Sequence, residues 1–206
     1  MNPIYHYEIE QRSPEWYAIR LGRLTGSDFH TFLGNSETKK NKLLQKACER
    51  ITGKSDEEHF VSSDMQRGID LEDEAVFLYE MQTGQDVKKV GFIEYDEWLG
   101  TSPDGLVGED GIIECKAPKD SVFVKQVIED KIKPEYYTQI QCNLLVSNRK
   151  WCDYIAYNKN FDLFIKRFER DEEYIKKILQ AKDECVIQME KYIDDFNKRL
   201  SKTKGE

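Results

Sequence analysis

Residues 101–116 are the most informative part of this sequence. They read Thr101-Ser102-Pro103-Asp104-Gly105-Leu106-Val107, then Gly108-Glu109-Asp110-Gly111, then Ile112-Ile113-Glu114-Cys115-Lys116. An Asp-Gly pair between short apolar runs is typical of a β-hairpin. We therefore expect Asp104 to open one strand and Glu114 to lie near the end of its partner strand.

Two carboxylates and one amine fall at the same end of this predicted hairpin. Side chains alternate between the faces of a strand, so Glu114 and Lys116 point to one side and Cys115 points to the other. Asp104 and Glu114 can then share a Mg²⁺ ion, which binds one or two carboxylates together with water and phosphate oxygens. A lysine beside such an ion can orient water, so the pattern suits metal-assisted hydrolysis of a phosphodiester.

The same residues also have an ordinary structural interpretation, in which Asp-Gly forms a turn and Glu114 and Lys116 are an exposed charge pair. Ile112 and Ile113 argue against it, because a strand that is apolar on both faces is typical of the buried centre of a sheet. Ionised groups at the end of a buried strand need a partner or a metal ion. The complete spaced set therefore favours a catalytic site.

The length and composition are those of a globular protein. The chain has 206 residues, of which 39% are hydrophobic and 34% charged, and this predicts one domain with a substantial core. It contains no apolar run of membrane-spanning length and no secretory signal, so we expect a cytoplasmic protein without a membrane partner. The five cysteines lack C-x-x-C and zinc-ligand spacings, so we expect reduced thiols and no cysteine-held iron–sulfur cluster.

The net charge of −8 is unfavourable for binding nucleic acid, because Lys and Arg contacts with phosphates supply most of the non-specific affinity. Much of the acidity is predicted to lie at the metal site, in the Asp56-Glu57-Glu58 loop and in the C-terminal helix. The charge therefore argues against tight non-specific binding and leaves room for a local DNA groove. The basic residues cluster elsewhere, at Arg12, Arg20, Arg23, Lys39, Lys40, Lys42, Lys46, Lys116, Lys119, Lys125, Lys131 and Lys133.

Apolar periodicity predicts a helical first part, a sheet, and a helical last part. Ser13-Pro14 and Pro134 are typical helix starts. We predict that a strand over 91–95 begins the sheet and that the 104–116 hairpin extends it. Strands over 151–157 and 161–168 form a second predicted hairpin. We predict helices over 14–21, from the turn at 25–28 to Leu33, and over 43–51, 67–81, 134–146 and 171–200.

Two further polar residues are candidates for the site. Glu72 falls within the apolar face of the 67–81 helix, since Ile69, Val76 and Tyr79 share that face, and a buried carboxylate needs a partner or a metal. A narrower apolar face would instead leave Glu72 exposed. Gln139 lies on a polar stripe of the next helix, where it can hydrogen-bond a phosphate or a water, although an ordinary amphipathic helix has the same pattern.

In chain order, these motifs resemble those of a known family. The series is Arg20-Leu21-Gly22, Leu24-Thr25-Gly26-Ser27, Arg67-Gly68-Ile69-Asp70-Leu71-Glu72, Thr101-Ser102-Pro103-Asp104-Gly105, Glu114-Cys115-Lys116-Ala117-Pro118 and Tyr136 to Gln141. It resembles the phage lambda-type exonucleases, also called YqaJ-like viral recombinases, of the PD-(D/E)XK nuclease superfamily. The resemblance covers residues 12–170.

The resemblance implies an α/β fold with a mixed central sheet flanked by helices, in a single domain over 1–206 that ends in a C-terminal helix at 171–200. It implies Mg²⁺-dependent 5′→3′ digestion of one strand of linear duplex DNA, which leaves a 3′ overhang for recombination. It further implies two ions per site with Mn²⁺ as an alternative, a ring-shaped homotrimer, and a single-strand annealing recombinase as partner.

The resemblance also implies roles for individual residues. Its metal ligands are Asp104, Glu114 and the main-chain carbonyl of Cys115, with Glu72 near the second ion. Lys116 orients or activates the attacking water, and Gln139 supports the site. The pocket for a terminal 5′-phosphate is formed by Arg20, Ser27 and Ser102.

This chain departs from the family pattern at one position. A basic residue that the family often carries after its E-x-K-x-P falls near Val122 here, and Lys119 is the candidate substitute. Asp96 matches an acidic position with a supporting role. Two alternatives stay open, namely a site- or structure-specific endonuclease that uses the same carboxylates and a catalytically weak DNA-end-binding protein.

Overall fold

The computed structural model describes residues 2–55 and 62–203, so the Asp56-Glu57-Glu58 segment lies outside the described residues. The described part contains runs of successive helices and runs of successive strands. The helices are α1 (Pro14–Arg20), α2 (Phe29–Leu33), α3 (Glu37–Thr52), α4 (Ser63–Thr83), α5 (Asp120–Glu129), α6 (Pro134–Ser147) and α7 (Glu172–Thr203). The strands are β1 (Ile4–His6), β2 (Leu24–Thr25), β3 (Val87–Lys88), β4 (Phe92–Glu94), β5 (Leu99–Thr101), β6 (Gly105–Val107), β7 (Gly111–Lys116), β8 (Trp151–Ala156) and β9 (Phe164–Glu169).

Serine caps set where several helices begin. The Ser13 hydroxyl accepts the Trp16 N–H at 3.2 Å with Pro14 in the first turn, as the sequence predicts. Ser36 and Ser62 cap α3 and α4 in the same way. Both helices therefore start earlier than their apolar periodicity indicates, because their first turns are polar and carry no periodic signal.

The predicted 104–116 hairpin is confirmed. β6 and β7 pair antiparallel with Gly105 opposite Ile113, and Gly108 in the turn has a φ of 51°, which glycine adopts without strain. β7 also pairs in parallel with β8, so it lies inside the five-stranded sheet β3-β6-β7-β8-β9. Ile112 and Ile113 are fully buried, as predicted for a central strand.

The predicted mixed α/β fold is confirmed, but its strands form two sheets. β4 belongs to a second, four-stranded sheet with the order β1-β4-β5-β2, and the hairpin does not extend it. The break falls at Ser102-Pro103-Asp104, between β5 and β6. Proline has no N–H for a β-ladder, so the chain leaves one sheet here and Asp104 enters the other beside Glu114.

Helices cover both sheets. α6 is buried along most of its length, and α7 packs against α3 and α2, so the C-terminal helix joins the main core. α4 packs on the hairpin sheet through a second apolar cluster that includes Tyr79, Ile113 and Ile155. No helix among the described residues is long and apolar enough to cross a membrane.

Candidate active site

A cavity of about 550 Å³ opens where β7 ends, between α4 and α6. Eight of the residues selected from the sequence line it. They are Ser27, Glu72, Asp104, Glu114, Cys115, Lys116, Lys119 and Gln139.

The hairpin register brings the two predicted metal-binding carboxylates together. Because Gly105 pairs with Ile113, the residues just beyond that pair, Asp104 and Glu114, lie next to each other where β6 begins. The Cys115 N–H donates a 2.6 Å hydrogen bond to Asp104 Oδ2. The main chain of β7 therefore fixes the orientation of the Asp104 carboxylate.

Glu114 is the most enclosed acidic group of the cavity, with 1% of its surface exposed. Its Oε1 pairs with Lys116 Nζ, which agrees with the prediction that these two side chains share a face of the strand. Its Oε2 accepts a 2.9 Å hydrogen bond from Asn143 Nδ2 on α6. Both carboxylate oxygens thus have defined partners.

The carboxyl groups of the cavity strongly affect one another. Burial raises the pKa of Asp104 well above its usual value, and the charges of Glu114 and Glu72 raise it further. Burial also raises the pKa of Glu114, although Lys116 and Asn143 act in the opposite direction. For Lys116, burial lowers the pKa, but attraction to Glu114 and Asp104 is stronger and the net shift is upward. Lys116 is therefore an ammonium ion at neutral pH.

This donor set fits a hard divalent cation. Carboxylate oxygens are the ligands that Mg²⁺ prefers, and a cation relieves the repulsion that raises the Asp104 pKa. Within residues 2–55 and 62–203, no three His, Cys, Asp or Glu side chains form a metal site by themselves. An ion held by Asp104 and Glu114 would thus complete its shell with main-chain, water or phosphate oxygens, which is common for Mg²⁺.

Glu72 lies at the edge of the buried face of α4, with 15% of its side chain exposed. Leu71, Ala75 and Tyr79 of the same helix are buried, so the predicted apolar environment is largely present. The carboxylate points into the cavity and accepts a 2.5 Å hydrogen bond from Arg12 Nη2. Its charge also raises the pKa of Asp104 and of Glu114.

α6 supplies the wall opposite α4. Gln139 lines the cavity from the second turn of this helix, and the Tyr136 ring centre lies 5.2 Å from Lys116 Nζ. An ammonium group near an aromatic ring is attracted to the ring face. Tyr136 therefore helps to keep the Lys116 side chain beside Glu114.

The residues that the resemblance assigns to a phosphate pocket are split in the structure. Ser27 and Lys119 line the cavity, and Lys119 Nζ lies 3.1 Å from Asp64. Arg20 and Ser102 instead meet at Trp16: the Arg20 guanidinium lies 4.0 Å from the ring centre, and the Trp16 Nε1–H donates to Ser102 Oγ at 2.8 Å. Burial lowers the pKa of Arg20 to about 10, so its guanidinium stays charged at neutral pH.

Sequence reasoning missed two members of the site. Asn143, which holds Glu114, is one helical turn beyond Gln139 on the same polar stripe, and that spacing was the available signal. Arg12, which holds Glu72, had no such signal beyond its positive charge. The position near Val122, where the chain lacks the family's basic residue, does line the cavity, as does Lys133.

The fold is shared with proteins of known structure. An alkaline exonuclease from Laribacter hongkongensis, LHK-Exo, superposes with a TM-score of 0.87 at 31% identity, over 93% of this chain and 100% of that chain. A second structure of LHK-Exo, in complex with dAMP, superposes with the same TM-score. A phage-related exonuclease from Haemophilus somnus 129PT shares the fold at 18% identity and a TM-score of 0.61, over 86% of this chain and 96% of that chain. The comparison with curated proteins found no match.

The chain thus has the fold of an alkaline exonuclease. The family model of the YqaJ-like viral recombinase domain matches residues 15–150. The chain belongs to that family.

Proposed function

We propose that this protein is a Mg²⁺-dependent 5′→3′ exonuclease that digests one strand of linear duplex DNA and leaves a 3′ overhang for phage-type recombination. The observation that carries the proposal is the convergence of Asp104, Glu114, Glu72 and Lys116 on one cavity in a member of the YqaJ-like family. The alkaline exonuclease with the same fold supports it, and the dAMP complex of that relative is consistent with a mononucleotide product.

The proposed roles follow from the contacts. Asp104, Glu114 and the Cys115 carbonyl hold a divalent cation, and Glu72 serves a second ion. Mg²⁺, or Mn²⁺ in its place, supplies charge neutralisation at the phosphoryl group and a more acidic water. Because Lys116 keeps its proton, it acts by orienting water and by attracting negative charge. Gln139 adds a hydrogen-bonding group on the opposite wall.

We assign the DNA end to the side of the cavity where Ser27 lies. Arg20 carries a fixed, forked set of donors that suits a terminal phosphate, and Ser102 is tied to it through Trp16. Lys119, at the start of α5, takes the place of the basic residue absent near Val122. Arg20, Ser27, Ser102 and Lys119 form the proposed 5′-phosphate pocket.

We extend the proposal to the assembly. Residues 1–206 form one nuclease domain, three copies close into a ring around the duplex, and a single-strand annealing recombinase binds the product strand. The net charge of −8 favours a ring, because a closed ring retains the duplex with few phosphate contacts.

The test compares linear with covalently closed circular duplex DNA in Mg²⁺. We expect only linear DNA to be degraded, with loss of a 5′ label before a 3′ label, and faster digestion of 5′-phosphate than of 5′-hydroxyl ends. Cleavage of circular DNA would point to an endonuclease, and binding of ends without cleavage to an end-binding protein.

Asp104→Asn is the matched inactive variant. We expect it to reduce cleavage by roughly 100-fold or more, the scale found when one group that stabilises transition-state charge is removed. The pKa of Asp104 is raised in the folded protein, so its ionised form opposes folding, and this penalty grows as pH rises through that pKa. In EDTA at neutral pH, Asp104→Asn should therefore melt at the same temperature as the wild type or higher. Near wild-type cleavage by this variant would refute the site.

A further inference from the structure

Arg12 has an unusual backbone conformation for its residue type. Its φ is +71°, in the left-handed region that non-glycine residues seldom occupy. The preceding Gln11 side chain fixes this segment, since its Nε2 donates to the Val90 and Pro103 carbonyls at 3.0 Å each. Such strained residues concentrate at functional sites, where the surrounding structure holds them.

This conformation places the Arg12 side chain between two cavities. The active-site cavity and a smaller cavity of about 300 Å³ share Arg12, Glu72 and Asp104 as lining residues. The Arg12 side chain is 39% exposed. Its guanidinium therefore stands at the junction, open to any group that enters from either side.

The ion pair between Arg12 and Glu72 is suited to replacement of Glu72 by another anion. Only Nη2 is bonded, to Glu72 Oε2, while the described residues supply no hydrogen bond to Nε or Nη1. A partly exposed ion pair is only weakly favourable, and a guanidinium fork is complementary to a phosphate. A phosphate at the junction can therefore compete with Glu72 for Arg12.

We propose that Arg12 is a DNA-phosphate-binding residue that releases Glu72 to the active-site cavity when it takes up a phosphate. Without DNA, Arg12 neutralises Glu72 beside Asp104. With DNA, the phosphate backbone satisfies Arg12, and the Glu72 carboxylate is free to serve the second ion beside Asp104. The inference rests on the proposed action on DNA and assigns a residue to it for which the sequence carried no motif.

The first measurement is the salt dependence of duplex binding, by fluorescence anisotropy with Ca²⁺ replacing Mg²⁺ so that DNA stays intact. A plot of log affinity against log salt has a negative slope, and each lost phosphate contact reduces the magnitude of that slope by about 0.9. We expect this reduction for Arg12→Gly, and roughly tenfold weaker binding at low salt. The matched control is Lys150→Ala, which removes one positive charge beside Asp110 at the far end of the hairpin and should leave the slope unchanged.

The second measurement is the Mn²⁺ affinity of the DNA-free protein, by calorimetry. A positive charge beside the site repels a cation, so Arg12→Gly should bind Mn²⁺ roughly tenfold more tightly. Glycine also accepts the positive φ, so the variant should not melt at a lower temperature. If it fails to fold, Arg12→Gln, which keeps the length of the side chain, should show the same two changes.

A wild-type salt slope in both Arg12→Gly and Arg12→Gln would overturn the proposal, as would unchanged Mn²⁺ affinity in both. Arg12→Lys keeps the positive charge and should keep the wild-type slope of log affinity against log salt. A reduced slope in this variant would therefore also count against the proposal. If the wild type binds DNA with an Arg12-dependent slope but cuts none, the proposed nuclease activity fails and the assignment of Arg12 stands. If the wild type cuts linear DNA with an Arg12-independent slope, only the assignment of Arg12 fails.

Discussion

A single amide, Asn143, connects the active site to the second sheet. Its Oδ1 accepts a hydrogen bond from the Thr101 hydroxyl of β5, and its Nδ2 donates to Glu114. Because the hydroxyl donates to Oδ1, the NH₂ group must face the carboxylate. Gly26 closes the other side, where an added Cβ would lie 2.6 Å from Asn143 Oδ1 and 2.7 Å from Thr101 Oγ1.

This arrangement predicts that Gly26 and Asn143 are energetically coupled. Gly26→Ala forces Asn143 or Thr101 to move, and we expect it to destabilise the protein by about 1–3 kcal/mol. Asn143→Ala removes the donor to Glu114 and should weaken Mn²⁺ binding by roughly 10- to 100-fold. In the double variant the added methyl group enters the space left by the amide, so its free energy of unfolding should exceed the additive value by at least about 0.5 kcal/mol.

Chemical denaturation of the wild type and the three variants measures this coupling, and calorimetry with Mn²⁺ measures the effect on the site. The neighbouring Ser27→Ala is the control for stability, because Ser27 is exposed and its hydroxyl makes a long hydrogen bond of 3.3 Å with Thr25 Oγ1. Strictly additive destabilisation by Gly26→Ala and Asn143→Ala would contradict the packing argument.

The residues that sequence alone located differ from those it missed in one physical respect. Asp104, Glu114 and Lys116 are related by one hairpin, so strand alternation and a glycine turn suffice to bring them together. Asn143 and Arg12 reach the site from elements distant in the sequence, through packing between α6 and the sheets or through a strained backbone at the end of a loop. No local pattern records such contacts, although the polar stripe of α6 contained a partial signal for Asn143.

At the level of secondary structure, Asp96 organises the turn between β4 and β5. Its Oδ1 accepts the N–H groups of Trp98 and Leu99 at 2.8 Å each. Its Oδ2 pairs with Lys182 of α7 at 2.6 Å. Asp96 is not among the residues that line the active-site cavity, and its contacts are those of a residue that stabilises the turn.

We therefore predict that Asp96→Ala destabilises the protein without altering the chemistry. Two main-chain donors lose their acceptor and the partly buried Lys182 ammonium loses the nearer of its two carboxylates, which should lower the free energy of unfolding by roughly 2–4 kcal/mol. The rate of DNA cleavage per folded molecule, measured well below the melting temperature, should stay within about twofold of wild type. Asp183→Ala is the control, because it removes the other, mostly exposed carboxylate near Lys182 and should have little effect on either quantity. A large loss of cleavage rate in a fully folded variant would contradict this prediction and indicate that Asp96 acts on the active site.

The elements that sequence predicted best were those with strong periodicity or defined end signals. α6, α7 and the hairpin β8–β9 are close to their predicted bounds. α3 and α4 are longer mainly at their polar starts and extend one or two residues beyond their predicted ends. α5 was missed because Val122, Val124, Val127 and Ile128 are β-branched residues and the cap residue Lys119 makes no side-chain capping bond. β1 and β3 are too short for an alternation pattern to appear.

For the whole molecule, the net charge of −8 is the property that must be reconciled with action on DNA. Acidic residues of α7 such as Glu173 and Asp183 are exposed, whereas Lys116, Lys119 and Lys133 line the cavity. Each phosphate contact requires a local cation. A single copy of the chain therefore has little electrostatic means of staying on DNA between successive cleavages.

A closed ring removes that requirement, because the topology of the ring retains the duplex and the basic residues need only face the channel. Cyclic symmetry is the usual way to close a head-to-tail contact, and the family resemblance points to three subunits.

We expect light scattering to give a trimer at working concentration. Processivity is measured by adding excess unlabelled competitor DNA after the enzyme has loaded on its substrate. The length of DNA degraded per binding event should then fall only modestly as the salt concentration rises. The affinity of initial loading should fall steeply with salt, as for any interface that neutralises phosphates. Measuring the affinity of initial loading without competitor DNA, at the same salt concentrations, separates the two effects. A monomer that releases DNA after each cleavage would rule out the ring and leave the assignment of the catalytic residues intact, because that assignment depends only on contacts within one chain.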